Sequence, residues 1–180
     1  KVGLNLAEGQ DLVMTAPIEA QPLTRLISRY AYQAGAGVVT TLFNDPQATL
    51  ERFEHGHDAS FDKAANWLYE GMGQAFANGA ARLAIAGDDP MLLAAQDADK
   101  VARANRAMST AYKPALEKIA GFDINWNIVS YPTLAWARTV FPGDPDGMAV
   151  AKLAKAIFAA SRVDQPDPIA AWREHNDNLH

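Results

Sequence analysis

The chain has 180 residues, 49% of them hydrophobic, which suits one domain of ordinary size, or one domain with an appendage, that buries its own core. It contains no cysteine, which excludes disulfides and thiolate metal sites and favours a reducing compartment, so we expect a cytoplasmic protein. The formal net charge is -5 without a basic stripe, and no apolar run is long enough to span a membrane, so neither nucleic acid nor a membrane is expected as a partner.

The first part of the chain has the pattern of a strand, a helix and a second strand. An apolar run at 11–15 predicts a buried strand, which we expect Ala16 and Pro17 to end. Residues 38–43 are apolar and β-branched and predict a second strand, parallel to the first because a helix connects the two. That helix is predicted over 18–34, and its buried face is expected to comprise Leu23, Leu26, Ile27, Tyr30 and Ala34.

The alternation of helices and strands continues through the middle of the chain. A short helix is predicted over 47–53, and the helical spacing of apolar residues from Phe61 to Phe76 predicts a longer one. Residues 82–86 predict a third apolar strand, and a long helix is predicted over 97–120. Pro114 lies inside that helix and is expected to bend or split it, because proline lacks the backbone donor and clashes with the preceding turn.

A fourth strand is predicted at 124–131, at the edge of the sheet. Its apolar residues Ile124, Trp126 and Ile128 alternate with asparagines, which indicates that one face of the strand is exposed. Four strands that alternate with helices predict an α/β fold with a doubly wound, mainly parallel sheet and helices on both of its faces. By analogy with flavodoxin-like sheets, we expect the strand order 2-1-3-4.

The last part of the chain is predicted to be helical. Helices are predicted over 133–140, 150–158 and 169–179. We therefore divide the chain into a sheet domain at 1–146 and a helical extension at 147–180, which would connect to a C-terminal domain outside this sequence. The chain begins at Lys1 without Met and ends at His180 within an apparent helix, which leads us to expect a piece of a longer protein.

One pair of acidic residues follows the third predicted strand directly. Asp88 and Asp89 would lie where ligands bind in doubly wound sheets, beyond the carboxyl ends of the strands. We expect Thr15 and Glu19 to lie beside them and to line the same crevice. A carboxylate pair in such a place suits a hard cation. We favour the alternative, in which Asp88 or Asp89 caps the turn before Pro90, because a cap at a strand end needs no further partner.

The histidines give no metal site by themselves. His55 and His57 are close in sequence, but a zinc site needs a third ligand, and the neighbouring candidate Asp58 belongs to the same loop. We therefore assign no catalytic, cofactor-binding or metal residue. From the residues alone, the chain fits either a flavodoxin-like module that binds a small molecule or nucleotide, or a helical interaction module built on 147–180.

Several runs of residues resemble those of one known family. The most specific pair is 126–137 (WNIVSYPTLAWA) and 167–175 (DPIAAWREH), and the opening 2–10 (VGLNLAEGQ) is similar as well. Together they resemble the thermophilic metalloaminopeptidases of the aminopeptidase T and aminopeptidase S type. The resemblance covers essentially all 180 residues.

This resemblance implies an exopeptidase that removes N-terminal residues from peptides with two divalent metal ions, which are cobalt, zinc or magnesium. The family binds them through Glu, His and Asp residues of a C-terminal domain, and none of those ligand motifs matches this chain. We therefore expect a non-catalytic N-terminal domain, inactive by itself, that walls and gates the active-site cavity of a homodimeric parent enzyme. Its partners would be the C-terminal catalytic domain and the peptide substrate.

Overall fold

The computed structural model describes residues 3–178, and its framework is a four-stranded sheet in which all neighbouring strands are parallel. The strands are β1 (Leu12–Pro17), β2 (Val39–Asn44), β3 (Ala81–Ala86) and β4 (Trp126–Ser130). Their order is β2-β1-β3-β4, which confirms the predicted order and the edge position of β4. The register aligns Leu12 with Val39 on one side and with Ala81 on the other.

Seven α-helices accompany these strands in the described part of the chain. They are α1 (Gln21–Gln33), α2 (Pro46–His55), α3 (Asn66–Ala77), α4 (Ala98–Ala120), α5 (Leu134–Val140), α6 (Asp146–Ala160) and α7 (Pro168–Asp177). Side chains cap several of them: Asp97 accepts from the N–H groups of Asp99 and Lys100, at 2.9 and 3.1 Å. The predicted continuation of the last helix to 179, and both chain ends, lie outside the described residues.

Helices cover both faces of the sheet, as predicted for a doubly wound fold. On one face, α3 and α4 bury their apolar side chains against β1, in a cluster of Val13, Met72, Phe76, Ala80, Ala115, Ile119 and Ile124. On the other face, α1 packs through Ile27 and Ala31 in a cluster that includes Leu12, Met14, Ala81 and Leu83. Residues from both sides of β1 are therefore buried, because it is a central strand of a parallel sheet.

Two expectations about element boundaries are wrong, and one of the two effects expected of Pro114 does not occur. β1 does not end before Ala16; it continues through Pro17, which pairs with Asn44 of β2. The missing N–H of this proline is tolerated because the pairing of β1 with β3 stops at Thr15. α1 begins only at Gln21, after a 3₁₀ turn at Ile18–Ala20. α4 runs without interruption through Pro114, so the predicted split does not occur.

The start of α3 was also predicted wrongly. The helix begins at Asn66, and Phe61 lies before it, next to a 3₁₀ turn at Asp58–Ser60. Phe61 is fully buried, and its ring centroid lies 5.2 Å from that of Phe53 in α2. This loop residue is therefore buried by α2, and its helical spacing to Met72 and Phe76 is coincidental.

The last helices form a smaller packed group. α5 and α6 pack together through a buried cluster of Ala137, Ala149 and Leu153. α7 is held at the end of α6 by the indole N–H of Trp172, which donates to the Ser161 carbonyl at 2.9 Å. The division of the chain at residue 146 remains a prediction. Within residues 3–178, none of the helices combines the length and the apolar character needed to cross a lipid bilayer.

Candidate functional site

The carboxyl ends of the four strands meet at one edge of the sheet because all strands run in the same direction. This edge comprises the residues that follow Pro17 of β1, Asn44 of β2, Ala86 of β3 and Ser130 of β4. Ligands of doubly wound folds bind at this edge, near the point where the chain reverses its direction of winding. The four residues singled out from the sequence, Thr15, Glu19, Asp88 and Asp89, all lie at or near this strand-end edge.

The two aspartates after β3 have different partners at the strand-end edge. Asp88 is exposed, and its Oδ1 accepts a hydrogen bond from the side-chain amide of Asn44 at 3.0 Å. Asp89 is partly buried, and its Oδ1 accepts the backbone N–H of Met91 at 2.8 Å. Asp89 thus closes a turn after β3, and Asp88 links the end of β3 to the end of β2.

Thr15 and Glu19 lie at the same end of the sheet but do not complete a cluster with the aspartates. Thr15 is a half-buried strand residue that pairs with Leu42 and Ala84. Glu19 is exposed on the 3₁₀ turn after β1. Within residues 3–178, no hydrogen bond joins either side chain to Asp88 or Asp89.

A tight contact closes the strand-end edge between β3 and β4. A Cβ atom placed on Gly87 would lie 2.6 Å from the carbonyl oxygen of Tyr131 and 2.9 Å from a methyl carbon of Thr133. The Thr133 hydroxyl, which is 3% exposed, donates a hydrogen bond to the Gly87 carbonyl. Glycine is therefore the residue that fits at position 87, because any side chain would displace the backbone of the neighbouring segment.

The side chains present do not fit the pair of divalent ions that the resemblance implies. His55 and His57 are exposed, and the Nε2 atom of His55 lies 3.5 Å from Glu51 Oε2 in a pair whose side chains are 73% and 70% exposed. Across residues 3–178, no three His, Cys, Asp or Glu side chains come together in a group that could hold a metal ion. We therefore derive no chemical step through a metal on this part of the chain.

The strongest charge cluster lies away from the strand-end edge and was not foreseen from the sequence. Arg103 of α4 bridges two aspartates of the loop before α3, with Nη1 at 2.9 Å from Asp58 Oδ1 and Nη2 at 2.6 Å from Asp62 Oδ2. These hydrogen bonds hold the pKa of Asp58 and that of Asp62 below their usual range and raise the pKa of Arg103. The cluster ties α4 to the loop; the spacing of Asp58 and Asp62 gave no indication of a partner more than forty residues away.

Comparisons with known proteins assign the chain to a family. The family model described as thermophilic metalloprotease (M29) matches residues 1–180. Aminopeptidase T from Thermus thermophilus is 49% identical over 100% of this chain and 44% of its own length. Aminopeptidase 2 from Geobacillus stearothermophilus is 40% identical over 99% of this chain and 43% of its own length.

A solved structure supports the same assignment. The structure of wild-type AmpT from Thermus thermophilus superimposes with a TM-score of 0.92 at 47% sequence identity, over 98% of this chain and 43% of that one. The chain spans less than half the length of the curated relatives it matches, and it corresponds to their N-terminal part. The resemblance found in the sequence is confirmed, and the chain belongs to the thermophilic metalloprotease (M29) family.

Proposed function

We propose that the parent of this chain is a metal-dependent aminopeptidase that removes N-terminal residues from peptides. The observation that carries this proposal is the family match over the whole chain, together with relatives named as aminopeptidases at 49% and 40% identity. Two divalent ions, such as cobalt, zinc or magnesium, would supply the chemistry of the parent, since a bound metal pair can activate water and polarise a carbonyl. The parent acts in the cytoplasm as a homodimer.

The second part of the proposal is that residues 1–180 are non-catalytic. The state of the candidate side chains at the strand-end edge supports it, because Asp89 is engaged as a turn cap and Asp88 is hydrogen-bonded to Asn44. The histidine pair is exposed and has no third ligand within residues 3–178. The metal ligands then belong to the C-terminal domain, in the part of the relatives that this chain does not match.

The third part of the proposal is that this domain walls and gates the active-site cavity. A wall has to be rigid, and the parallel sheet covered on both faces provides a rigid body of that kind. Movement of such a body as a unit would admit a peptide end and then exclude water from the reacting atoms.

The location of the chemistry can be tested with the full-length parent. Simultaneous replacement of the four candidate ligands by Asp88→Asn, Asp89→Asn, His55→Ala and His57→Ala should leave both the bound metal and kcat unchanged. The 180-residue chain should show no turnover of aminoacyl chromogenic substrates with added cobalt, under conditions in which circular dichroism shows that it is folded. Turnover by this chain, or loss of metal from the fourfold variant, would show that the chemistry lies here.

The gating role predicts a dependence of the parent's activity on substrate length. A walled cavity admits short or extended peptide ends, so kcat/KM should fall steeply for peptides with folded N-terminal segments. A parent that trims folded proteins as fast as tripeptides would contradict the gate.

A screen of the 180-residue chain for thermal stabilisation by flavins and nucleotides tests the flavodoxin-like alternative, because a ligand that binds the folded state raises the melting temperature.

A further inference from the structure

Helix α6 is unusually apolar for a helix with so much exposed surface. Its sequence, DGMAVAKLAKAIFAA, contains three charged residues, which are Asp146, Lys152 and Lys155. Surface helices of globular domains carry a polar face opposite their buried stripe, whereas a helix that is apolar all round is buried in the complete protein. The composition of α6 therefore matches a helix with neighbours on more than one side.

The structure gives α6 a neighbour on one side. Ala149 and Leu153 are buried against α5, and Val150 and Ile157 are partly buried with them. At about 100° per residue, the opposite side of the helix carries Met148, Ala151, Lys155, Phe158 and Ala159. We call these five residues the outer face of α6.

The outer face is open in the described part of the chain. Met148 and Phe158 are each 51% exposed, and both are large apolar side chains. Lys155 is exposed as well and makes no ion pair within residues 3–178, whereas Lys152 on the flank of the face pairs with Asp144 at 2.6 Å. The outer face thus offers an apolar surface with one free cation in its middle.

We propose that the outer face of α6 is a docking surface for the C-terminal part of the parent protein, the part of the relatives that this chain does not match. The inference uses the proposed function only in taking the parent to be longer than this chain. The relatives extend over more than twice the matched length, so the occupant is large enough to cover a helix. It carries apolar side chains opposite Met148 and Phe158 and an acidic group opposite Lys155.

Tethering favours this occupant over a separate molecule. α7 is fixed to the end of α6, because Trp172 donates to the Ser161 carbonyl and the Arg162 guanidinium carbon lies 4.7 Å from the centre of the Trp172 ring. Asn178, directly after α7, lines the same cavity as Ala159, so residues that follow α7 in the parent start close to one end of the outer face. A short covalent link gives a neighbouring segment an effective concentration in the range of about 1 mM, which a free partner does not reach.

Thiol labelling of the full-length parent tests the proposal. Single cysteines are placed at the outer face by Met148→Cys or Phe158→Cys in a cysteine-free background, and Met108→Cys in α4 is the matched control because Met108 is 45% exposed. Each labelling rate is divided by the rate of the same variant in denaturant. The two outer-face cysteines should label at least about tenfold slower than in the unfolded chain, because labelling has to wait until the interface opens.

Two outcomes would overturn the docking surface and a third would overturn its acidic occupant, and none of the three depends on peptide hydrolysis. Rates at Met148→Cys and Phe158→Cys equal to those of the unfolded chain would show that the outer face is free in the parent. Protection that disappears on dilution would assign the face to a second copy instead. The variant Lys155→Glu should label faster at the outer-face cysteines, because it would repel the proposed acidic group. Equal labelling rates with and without Lys155→Glu would show that no acidic group lies opposite Lys155. An inactive parent with a protected outer face would refute the aminopeptidase function and leave the docking surface intact.

Discussion

Replacement of the Thr133 hydroxyl should measure how much the closed strand-end edge contributes to stability. Thr133 is 3% exposed, and its hydroxyl donates to the Gly87 carbonyl while accepting the N–H of Trp136 at 3.4 Å. Thr133→Val keeps the shape of the side chain and removes both hydrogen bonds. Thr133→Ser keeps both hydrogen bonds and removes one methyl group.

The expected cost of Thr133→Val is dominated by the carbonyl of Gly87. A buried acceptor that loses its donor costs about 1–3 kcal/mol. The hydrogen bond from the Trp136 N–H to the Thr133 hydroxyl, which caps α5, is long at 3.4 Å. Its loss therefore adds about 0.5 kcal/mol, the lower end of the range for the loss of a helix N-cap. The total of about 2.5 kcal/mol lowers the melting temperature of a chain of this size by about 5–10 °C. Thr133→Ser should cost about 0.8 kcal/mol, the value of one buried methylene.

Urea unfolding of the 180-residue chain, followed by circular dichroism, measures both variants on one scale. The midpoint should fall further for Thr133→Val than for Thr133→Ser, with the same dependence of the unfolding free energy on urea concentration. If Thr133→Val were as stable as Thr133→Ser, a water molecule could donate to the Gly87 carbonyl in place of the Thr133 hydroxyl. The hydrogen bond from Thr133 to Gly87 would then not explain why the strand-end edge is closed.

Two further predictions concern backbone space and pH. Gly87→Ala should destabilise the chain by about 1–3 kcal/mol, because the added Cβ meets the neighbouring backbone. Gly71→Ala in α3 should stabilise the chain by about 0.5–1 kcal/mol, because nothing lies within 4 Å of the added Cβ and alanine favours the helix. Equal urea midpoints for the two variants would contradict this prediction. The guanidinium of Arg103 lowers the pKa of Asp58, so this pair stabilises the fold above the ordinary carboxyl pKa and the stabilisation is lost as the pH falls. Asp58→Asn should therefore be less stable than the unsubstituted chain near about pH 6. Urea midpoints should show the difference shrinking as the pH falls below the ordinary aspartate pKa of about 3.9.

The topology of the sheet was predictable because its determinants are local. Each strand is a short apolar run, each connection is long enough for a helix, and such connections make neighbouring strands parallel and right-handed in their winding. The asparagines that alternate with apolar residues at 124–128 predicted that this strand lies at the edge, and the strand order confirms that position. None of these inferences depends on knowing which side chains touch.

The detailed packing was less predictable because neighbours from distant parts of the chain decide it. Leu26 and Tyr30 have the spacing of a buried face, yet they are 46% and 66% exposed, and the small residues Thr24 and Ala31 are buried in their place. Small side chains allow α1 to approach the sheet closely, which a count of large apolar residues misses.

β4 shows the same limitation at the level of one strand. The alternation of apolar residues and asparagines predicts that Ile128 is buried, but this side chain is 52% exposed, while Val129 on the opposite face packs against the core. Asn125, expected to face solvent, accepts a 2.6 Å hydrogen bond from the Gln10 side chain and donates to the Leu4 carbonyl at 2.8 Å. The chain near its N-terminus thus satisfies a polar group that periodicity alone marks as exposed.

The candidate site could not be resolved from the sequence, since a cap and a metal ligand use the same carboxylate. The choice between them at Asp88 and Asp89 depends on Asn44, which arrives from a different strand, and on the N–H of Met91. A divalent ion needs several oxygen or nitrogen ligands to offset its lost hydration, and two engaged aspartates supply too few. Within residues 3–178 this shortage of ligands supports the proposal that the metal is bound in the longer parent. The apolar outer face of α6 supports the proposed docking surface, because the one buried side of the helix does not account for its excess of hydrophobic side chains.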